Sequence, residues 1–226
     1  MSAVVRNIEL LAPAKDLQSA VDAVDCGADA VYIGAAQFGA RHAATNSVED
    51  IAKAAEYAHR YGAKVYATLN TLIFDDELED AKAQAEALVA AGVDALIVQD
   101  MAYCRMGLNV PLHASAQTAC STVEQVRFFE QVGFERAILE RNLSGAEIEK
   151  ICSKTNIEIE AFIHGAICVC HSGRCYLSRS MSERSGNRGQ CSQPCRLPYD
   201  LTDGNGTVYI KSKHLLSVTD LDLSQR

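Results

Sequence analysis

The chain has 226 residues, of which 48% are hydrophobic and 22% are charged, and its formal net charge is −8. These proportions are close to globular averages and exclude a disordered or collagen-like chain, while no apolar run reaches the roughly 18 residues of a membrane span. The N-terminal residues show no long apolar core behind a basic start, so we expect no signal peptide and a cytoplasmic location.

A repeated pattern of helix, glycine and short apolar run fills residues 1–165. Each glycine fits the left-handed position that closes a helix, and the runs after it are apolar throughout, as in parallel strands buried on both faces. The pattern predicts helices over residues 16–24, 48–58, 77–91, 121–132 and 144–152, with N-caps near Ser47 and Ser144. It predicts strands over residues 8–11, 31–33, 65–68, 96–98, 112–114, 137–139, 157–162 and 215–218.

Eight parallel strands with intervening helices predict an α/β fold, a TIM-type (β/α)8-like barrel. A doubly wound open sheet is the alternative. We expect βα repeats over residues 1–165, a cysteine- and arginine-rich insert after strand seven over residues 166–200, and a final strand region over residues 201–226. Because little chain follows the eighth strand, the closing helix is expected to be absent, so the domain end is truncated or a partner protein covers it.

Polar residues follow the predicted strands. In a barrel of this kind the site lies at the carboxyl ends of the strands. The residues expected around this end are Arg41, Asn70, His113, Gln117, Arg141, Glu160 and His164.

Nine cysteines with an odd count and no export signal favour metal or redox chemistry over disulfides. Five of them fall within 28 residues, at Cys168, Cys170, Cys175, Cys191 and Cys195. Four thiolates can hold zinc or an iron–sulfur cluster, and a set of free thiols is the third possibility. The two-residue gap of a zinc knuckle is missing, which favours the cluster. The scattered cysteines, expected to be small core residues, are Cys26, Cys104, Cys120 and Cys152.

Charge is distributed unevenly along the chain. Residues 1–150 carry 12 basic and 22 acidic side chains, whereas residues 151–226 carry 9 and 7. Five arginines lie around the cysteines, at positions 174, 179, 184, 188 and 196. Such a local patch on an acidic body favours the binding of one anionic substrate at one place.

Three segments around the cysteines form one long signature: residues 160–168 (EAFIHGAIC), 172–178 (SGRCYLS) and 184–196 (RSGNRGQCSQPCR). Upstream, residues 11–14 (LAPA), 27–34 (GADAVYIG), 38–41 (FGAR) and 113–117 (HASAQ) belong to the same pattern. The pattern resembles the peptidase U32 family over nearly the whole chain, and the last cysteine segment looks most like its RNA-hydroxylation branch.

This resemblance implies an iron–sulfur-dependent, oxygen-independent hydroxylation of a pyrimidine in tRNA or rRNA, with a small carboxylic acid such as prephenate as hydroxyl source. It implies a 4Fe-4S cluster, with zinc as the runner-up, on Cys168, Cys175 and Cys191. The fourth ligand is expected to be Cys195, with Cys170 and Asp222 as alternatives, or the cluster is incomplete. A collagenase-like peptidase, an accessory protein of ubiquinone hydroxylation and a non-catalytic subunit remain alternatives.

The resemblance also implies roles for individual residues. Those expected to carry catalysis are Glu160, His164, Arg141 and His113. Those expected to bind substrate are Arg41, Asn70, Gln117, Arg184, Arg188 and Arg196, with Arg41 and Arg141 clamping the carboxylates of the small acid. Tyr199 or Phe38 is expected to stack on a splayed base.

Overall fold

The computed structural model of the chain describes residues 8–40, 46–216 and 221–222. The chain divides into two compact units, with the boundary between His113 and Ala114. Among these described residues, no helix is both long enough and apolar enough to cross a bilayer.

The first unit alternates strands and helices along the chain. Its strands neighbour one another in the order β1-β2-β3-β4-β5, and the pairs β1–β2, β2–β3 and β3–β4 are parallel. The elements are β1 (Leu11–Ala14), α1 (Leu17–Asp25), β2 (Ala30–Gly34), α2 (Val48–Arg60), β3 (Lys64–Leu69), α3 (Leu78–Ala90), β4 (Ala95–Val98) and β5 (Leu112–Ala114), the last of which reaches the unit boundary.

The apolar strand runs form the core of this unit. Val31, Ile33, Val65 and Leu96 are fully buried, which is why the interiors of their strands are mainly apolar rather than alternating. Small alanines on the buried faces of α2 and α3 let the helices lie close to the sheet. The predicted α/β class with parallel strands is therefore confirmed.

Helix ends in both units follow the predicted signals. Ser47 accepts a hydrogen bond from the Asp50 amide at 3.1 Å, and the Asp50 carboxylate accepts one from the Ser47 amide, which completes a capping box at α2. Gly133 ends α4 (Val123–Val132) with φ +100°, a conformation that side chains with a Cβ disfavour.

The second unit contains helix α4, one βα unit, a further strand and then irregular chain. The remaining elements are β6 (Arg136–Ile138), α5 (Gly145–Cys152), β7 (Glu158–Glu160), β8 (His164–Gly165), α6 (Leu177–Ser182), β9 (Tyr199–Thr202), β10 (Val208–Lys213) and β11 (Leu221–Asp222). β6 and β7 are parallel. Arg136, whose side chain is 9% exposed, links them through Glu158 at 2.7 Å and Glu160 at 3.4 Å.

Two strand predictions need correction. The first strand begins at Leu11 rather than at residue 8, and Ile8 and Leu10 are 89% and 49% exposed. The predicted eighth parallel strand is not found in its described part, because Leu215 and Leu216 lie outside any strand, and residues 217–218 lie outside the described residues. In the described chain after β7, the strands pair antiparallel instead, as β8–β11 and β9–β10.

Replacing the α2 cap tests its contribution. Ser47→Ala removes the acceptor of the Asp50 amide, so we expect the free energy of unfolding to fall by about 1 kcal/mol in urea titrations. Ser153→Ala is the control, because the Ser153 hydroxyl only donates to the Lys150 carbonyl at an exposed helix end. Equal losses in the two variants would contradict the capping role.

Candidate functional site

In the first unit, polar residues after the strands fasten neighbouring loops. The Asn70 side-chain oxygen accepts from the Ala40 amide at 2.8 Å, and Thr71 donates its amide and its hydroxyl to the Phe38 carbonyl at 3.2 and 3.0 Å. Asn46 donates to the carbonyls of Lys15 and Gly34, which follow or end β1 and β2. Hydrogen bonds from side chains to backbone groups therefore connect neighbouring strand ends and loops of this unit.

The loop after β2 is held tightly at Phe38. This residue has a φ of +58°, which is unfavourable for a side chain of its size. A Cβ at the next residue, Gly39, would lie 3.3 Å from the Ala35 carbonyl oxygen, so a larger residue there would crowd this backbone. Strain of this kind persists only where the surroundings over-determine it, and the ties from Asn70 and Thr71 supply that constraint.

His113 lies in the interior of the first unit. Its side chain is 4% exposed, and the ring meets Tyr66 edge-on with centroids 4.9 Å apart. The Tyr66 hydroxyl donates to Glu9 at 2.8 Å. This environment gives His113 a packing function, and its catalytic assignment stays a prediction.

In the second unit, Arg141 follows β6 and contacts the start of the cysteine-rich segment. Its guanidinium lies over the Phe162 ring, 4.2 Å from the centroid, and its Nη1 donates to the sulfur of Cys168 at 3.5 Å. The stacking orients the guanidinium. Arg141 is thus a predicted site residue that touches a predicted ligand.

Glu140, the residue before Arg141, follows predicted strand six among the candidate polar groups, but the sequence assigns it no role. Its side chain is 3% exposed, and it accepts from the Ser172 amide at 2.6 Å and from the Ser172 hydroxyl at 3.0 Å. His171 Nδ1 lies 3.7 Å from the same carboxylate. The available signal was its position directly after a strand; its partners lie 32 residues away, in a segment without periodicity.

Several of the five clustered cysteines lie within electrostatic reach of Cys195 or of Cys170. Desolvation raises the pKa of Cys195, and negative charge on Cys191, Cys168 and Cys175 raises it further, against a lowering by Arg196. Desolvation also raises the pKa of Cys170, and negative charge on Cys175 and Cys168 raises it further. The chain thus brings together thiols from two segments of the sequence.

Two small residues bring the cysteine segments close together. A Cβ at Gly186 would lie 3.4 Å from the Cys175 carbonyl oxygen and 3.9 Å from the Cys191 Cβ. The buried Ser178 hydroxyl donates to the Cys191 sulfur at 3.8 Å and accepts from the Ser192 amide at 3.1 Å. α6 therefore holds the second cysteine segment against the first.

The donor set suits a soft metal, because thiolates are the preferred ligands of iron–sulfur clusters and of structural zinc. Across the part of the chain that the structure describes, however, no group of three or more His, Cys, Asp or Glu side chains is arranged to hold a metal ion. The assignment of Cys168, Cys175, Cys191 and Cys195 as ligands therefore stays a prediction that rests on donor chemistry and mutual proximity. For the alternative ligand Asp222, the structure describes a backbone pairing with His164.

The other predicted site residues divide between structural ties and exposed positions. Glu160 is ion-paired with Arg136, His164 is exposed in β8, and Gln117 lies in a short 3-10 turn capped by Ser115. Arg196 donates to the Ile167 carbonyl at 3.3 Å. Arg184 is exposed and Arg188 half-buried, and Arg41 lies outside the described residues.

The expectation that the four scattered cysteines belong to the core is correct for Cys120 alone. Cys120 is buried, Cys104 is half-buried, and Cys26 and Cys152 are exposed. Cys26 and Cys152 stand at the carboxyl ends of α1 and α5, where solvent reaches them.

Comparison with known proteins identifies the family. The chain matches the sequence model of Peptidase family U32 over residues 15–226 and belongs to this family. It is 51% identical over 216 residues to the 23S rRNA 5-hydroxycytidine C2501 synthase of Escherichia coli (strain K12), covering 95% of this chain and 33% of that protein. It is 42% identical over 212 residues to the tRNA hydroxylation protein P1 of Bacillus subtilis (strain 168), covering 91% of this chain and 50% of that protein.

The chain thus spans about a third to a half of the length of these relatives. Among solved structures, it is similar to the U32 peptidase Mk0906, with a TM-score of 0.59 over 74% of each chain and 14% sequence identity. At that identity the likeness bears on the fold alone.

Thiol labelling tests the environments of the cysteines outside the cluster. Burial, with a contribution from the Glu140 carboxylate, raises the pKa of Cys120 to about 12. We expect iodoacetamide at pH 8 to modify Cys26 and Cys152 while Cys120 stays unmodified, because the neutral thiol is a poor nucleophile. In guanidinium chloride, mass spectrometry should find all three modified; labelling of native Cys120 at the rate of Cys26 would contradict its buried position.

Proposed function

We propose that this chain takes part in the oxygen-independent hydroxylation of a pyrimidine base in tRNA or rRNA. The observation that carries the proposal is the 51% identity, over 95% of this chain, with a protein named for making 5-hydroxycytidine in 23S rRNA. A second relative is named for tRNA hydroxylation. The two names share a hydroxylated nucleic acid as product, which supports RNA as the substrate class.

The proposed cofactor is a 4Fe-4S cluster held by Cys168, Cys175, Cys191 and Cys195, with zinc as the runner-up. When bound, such a group supplies the electron transfer that amino-acid side chains lack, and a pyrimidine C5–H is not acidic enough for acid–base chemistry alone. The mutual reach of the thiols and the closeness of Cys175 and Cys191 to Gly186 support this assignment.

The chain's own residues would bind and orient the reactants. Arg141 donates to Cys168 and is stacked on Phe162, so its positive charge is fixed beside the proposed cofactor. There it can neutralise the charge of a bound carboxylate. Arg184, Arg188 and Arg196 add positive charge along the same cysteine-rich segment, which suits the phosphates of an RNA strand.

Conversion of C5–H to C5–OH with a hydroxyl donor removes two electrons from the base, so the proposal includes, besides the source of oxygen, an external electron acceptor of the flavin or ferredoxin class that would receive these electrons by way of the proposed cluster. A small carboxylic acid such as prephenate is the proposed hydroxyl source. Arg41 and Arg141 are its proposed carboxylate partners, because a guanidinium binds a carboxylate in bidentate fashion.

The closed TIM-type barrel also remains a proposal, supported by the parallel βα units and by the likeness to Mk0906.

Nucleoside analysis tests this function in cells. Deleting the gene should abolish one 5-hydroxypyrimidine in the digested rRNA or tRNA, as measured by liquid chromatography and mass spectrometry. The wild-type gene should restore the nucleoside, Cys175→Ala should reduce its level at least about tenfold because a cluster ligand is lost, and the exposed Cys152→Ala should restore it fully.

An unchanged set of hydroxylated nucleosides after deletion would contradict the proposal. Cleavage of denatured collagen by the purified protein, together with unchanged nucleosides, would favour the peptidase alternative. Full restoration of the nucleoside by Cys175→Ala would show that the RNA modification does not need Cys175 as a cluster ligand, which would contradict the proposed cofactor role.

A further inference from the structure

We infer that Glu140 is a positioning residue that fixes the cysteine loop, residues 168–175, to the end of strand β6. The carboxylate accepts both hydrogen bonds that Ser172 offers, from the amide at 2.6 Å and from the hydroxyl at 3.0 Å. Glu140 and Ser172 are both buried, at 5% and 6% exposure. Neither residue belongs to the predicted ligand set.

The location of Ser172 explains why this contact matters. It lies between Cys170 and Cys175, in a segment that the structure describes as turns without helix or strand. Cys168 and Cys170 are exposed, and Cys175 is half-buried, so the thiol side chains contribute little apolar burial to hold the loop. A buried charged hydrogen bond is a stronger tie than a neutral one.

Glu140 and Arg141 together hold the loop at two points. Arg141 donates to the sulfur of Cys168 at 3.5 Å, and Glu140 binds Ser172, four residues further along. The two residues are adjacent at the end of β6, and the Glu140 amide donates to the Cys120 carbonyl at 2.8 Å. The loop thus takes its position from two side chains that follow β6 rather than from its own secondary structure.

The alternative is that Glu140 is a general stabilising residue whose loss weakens the whole unit. The chain contains a matched control for this alternative. Glu147 accepts from the Ser144 amide at 2.8 Å and from the Ser144 hydroxyl at 2.7 Å, at the start of α5. The same bond pattern occurs there on an exposed helix end, away from the cysteine loop.

Hydrogen exchange of the full metal-free chain, read by mass spectrometry, tests the inference. In Glu140→Ala, the amides of residues 168–175 should exchange at least about tenfold faster than in the wild type, because the carboxylate partner of the buried amide is lost. Glu140→Gln should stay within about threefold of the wild type, because an amide can still accept from the backbone and donate to the hydroxyl. Glu147→Ala should accelerate exchange at the start of α5 alone.

Ser172→Ala provides a second route if Glu140→Ala does not fold. It removes the hydroxyl bond and keeps the amide bond, so we expect an acceleration of about threefold in the same peptide. Unchanged exchange of residues 168–175 in Glu140→Ala would overturn the inference. So would a Gln variant that behaves like the Ala variant, or an equal effect of Glu147→Ala on the cysteine loop.

The purpose of this fixation rests on the proposed function, because an ordered loop matters most if its thiols bind a cluster. After anaerobic reconstitution with iron and sulfide, Glu140→Ala should lose its iron to a chelator several-fold faster than Glu140→Gln, whereas Glu147→Ala should match the wild type. Exchange is measured without metal, so failure of the RNA-hydroxylation proposal leaves the exchange result interpretable. Failure of the exchange prediction leaves the nucleoside prediction intact.

Discussion

The arrangement of the second unit depends on the buried carboxylate of Glu140, whose negative charge has to be stabilised by hydrogen bonds. An ionised carboxylate away from water is unfavourable unless donors surround it, and Glu140 finds its donors on Ser172, 32 residues further along the chain. The segment around Ser172 has little regular structure and many exposed side chains. Polar ties to β6 therefore hold the cysteine-rich segment in place where an apolar core is lacking.

Other polar contacts also hold the cysteine-rich segment in place. Arg141 reaches Cys168, Arg196 reaches the Ile167 carbonyl, and Ser178 lies between Cys191 and the Ser192 amide. Each contact joins a polar side chain to a backbone or sulfur atom of the cysteine-rich segment. They accompany an arrangement in which negative charge on Cys191, Cys168 and Cys175 contributes to raising the pKa of Cys195.

Much of the fold was predictable because burial on both faces leaves a clear mark on a sequence. The runs around Val31, Val65 and Leu96 were located within one or two residues, and the caps at Ser47 and Ser144 obey local hydrogen-bond rules. The first strand was misplaced because Ile8 and Leu10 are apolar and exposed, while the real strand contains Pro13. Proline is tolerated there because β1 stands at the end of the strand order.

The site was predictable in its chemistry and less so in its connections. Cysteine spacing pointed to a thiol cluster, and Arg141 does contact one of the predicted ligands. By contrast, no local sequence pattern indicates that Glu140 binds Ser172 or that Asn70 binds the Ala40 amide. Each of these contacts joins distant positions of the chain through a single side chain. Polar residues at strand ends bind backbone groups of neighbouring loops in several cases, and their clustering around one site stays a prediction.

We propose that the cysteines of two separate segments form one cofactor site. The decisive experiment is Mössbauer spectroscopy, with iron and sulfide analysis, of the anaerobically purified chain. We expect a single 4Fe-4S signal with about four irons per chain, most of it lost in Cys175→Ala and kept in Cys152→Ala. A protein that binds only zinc under these conditions, or that keeps its full cluster signal in Cys175→Ala, would rule out this shared site.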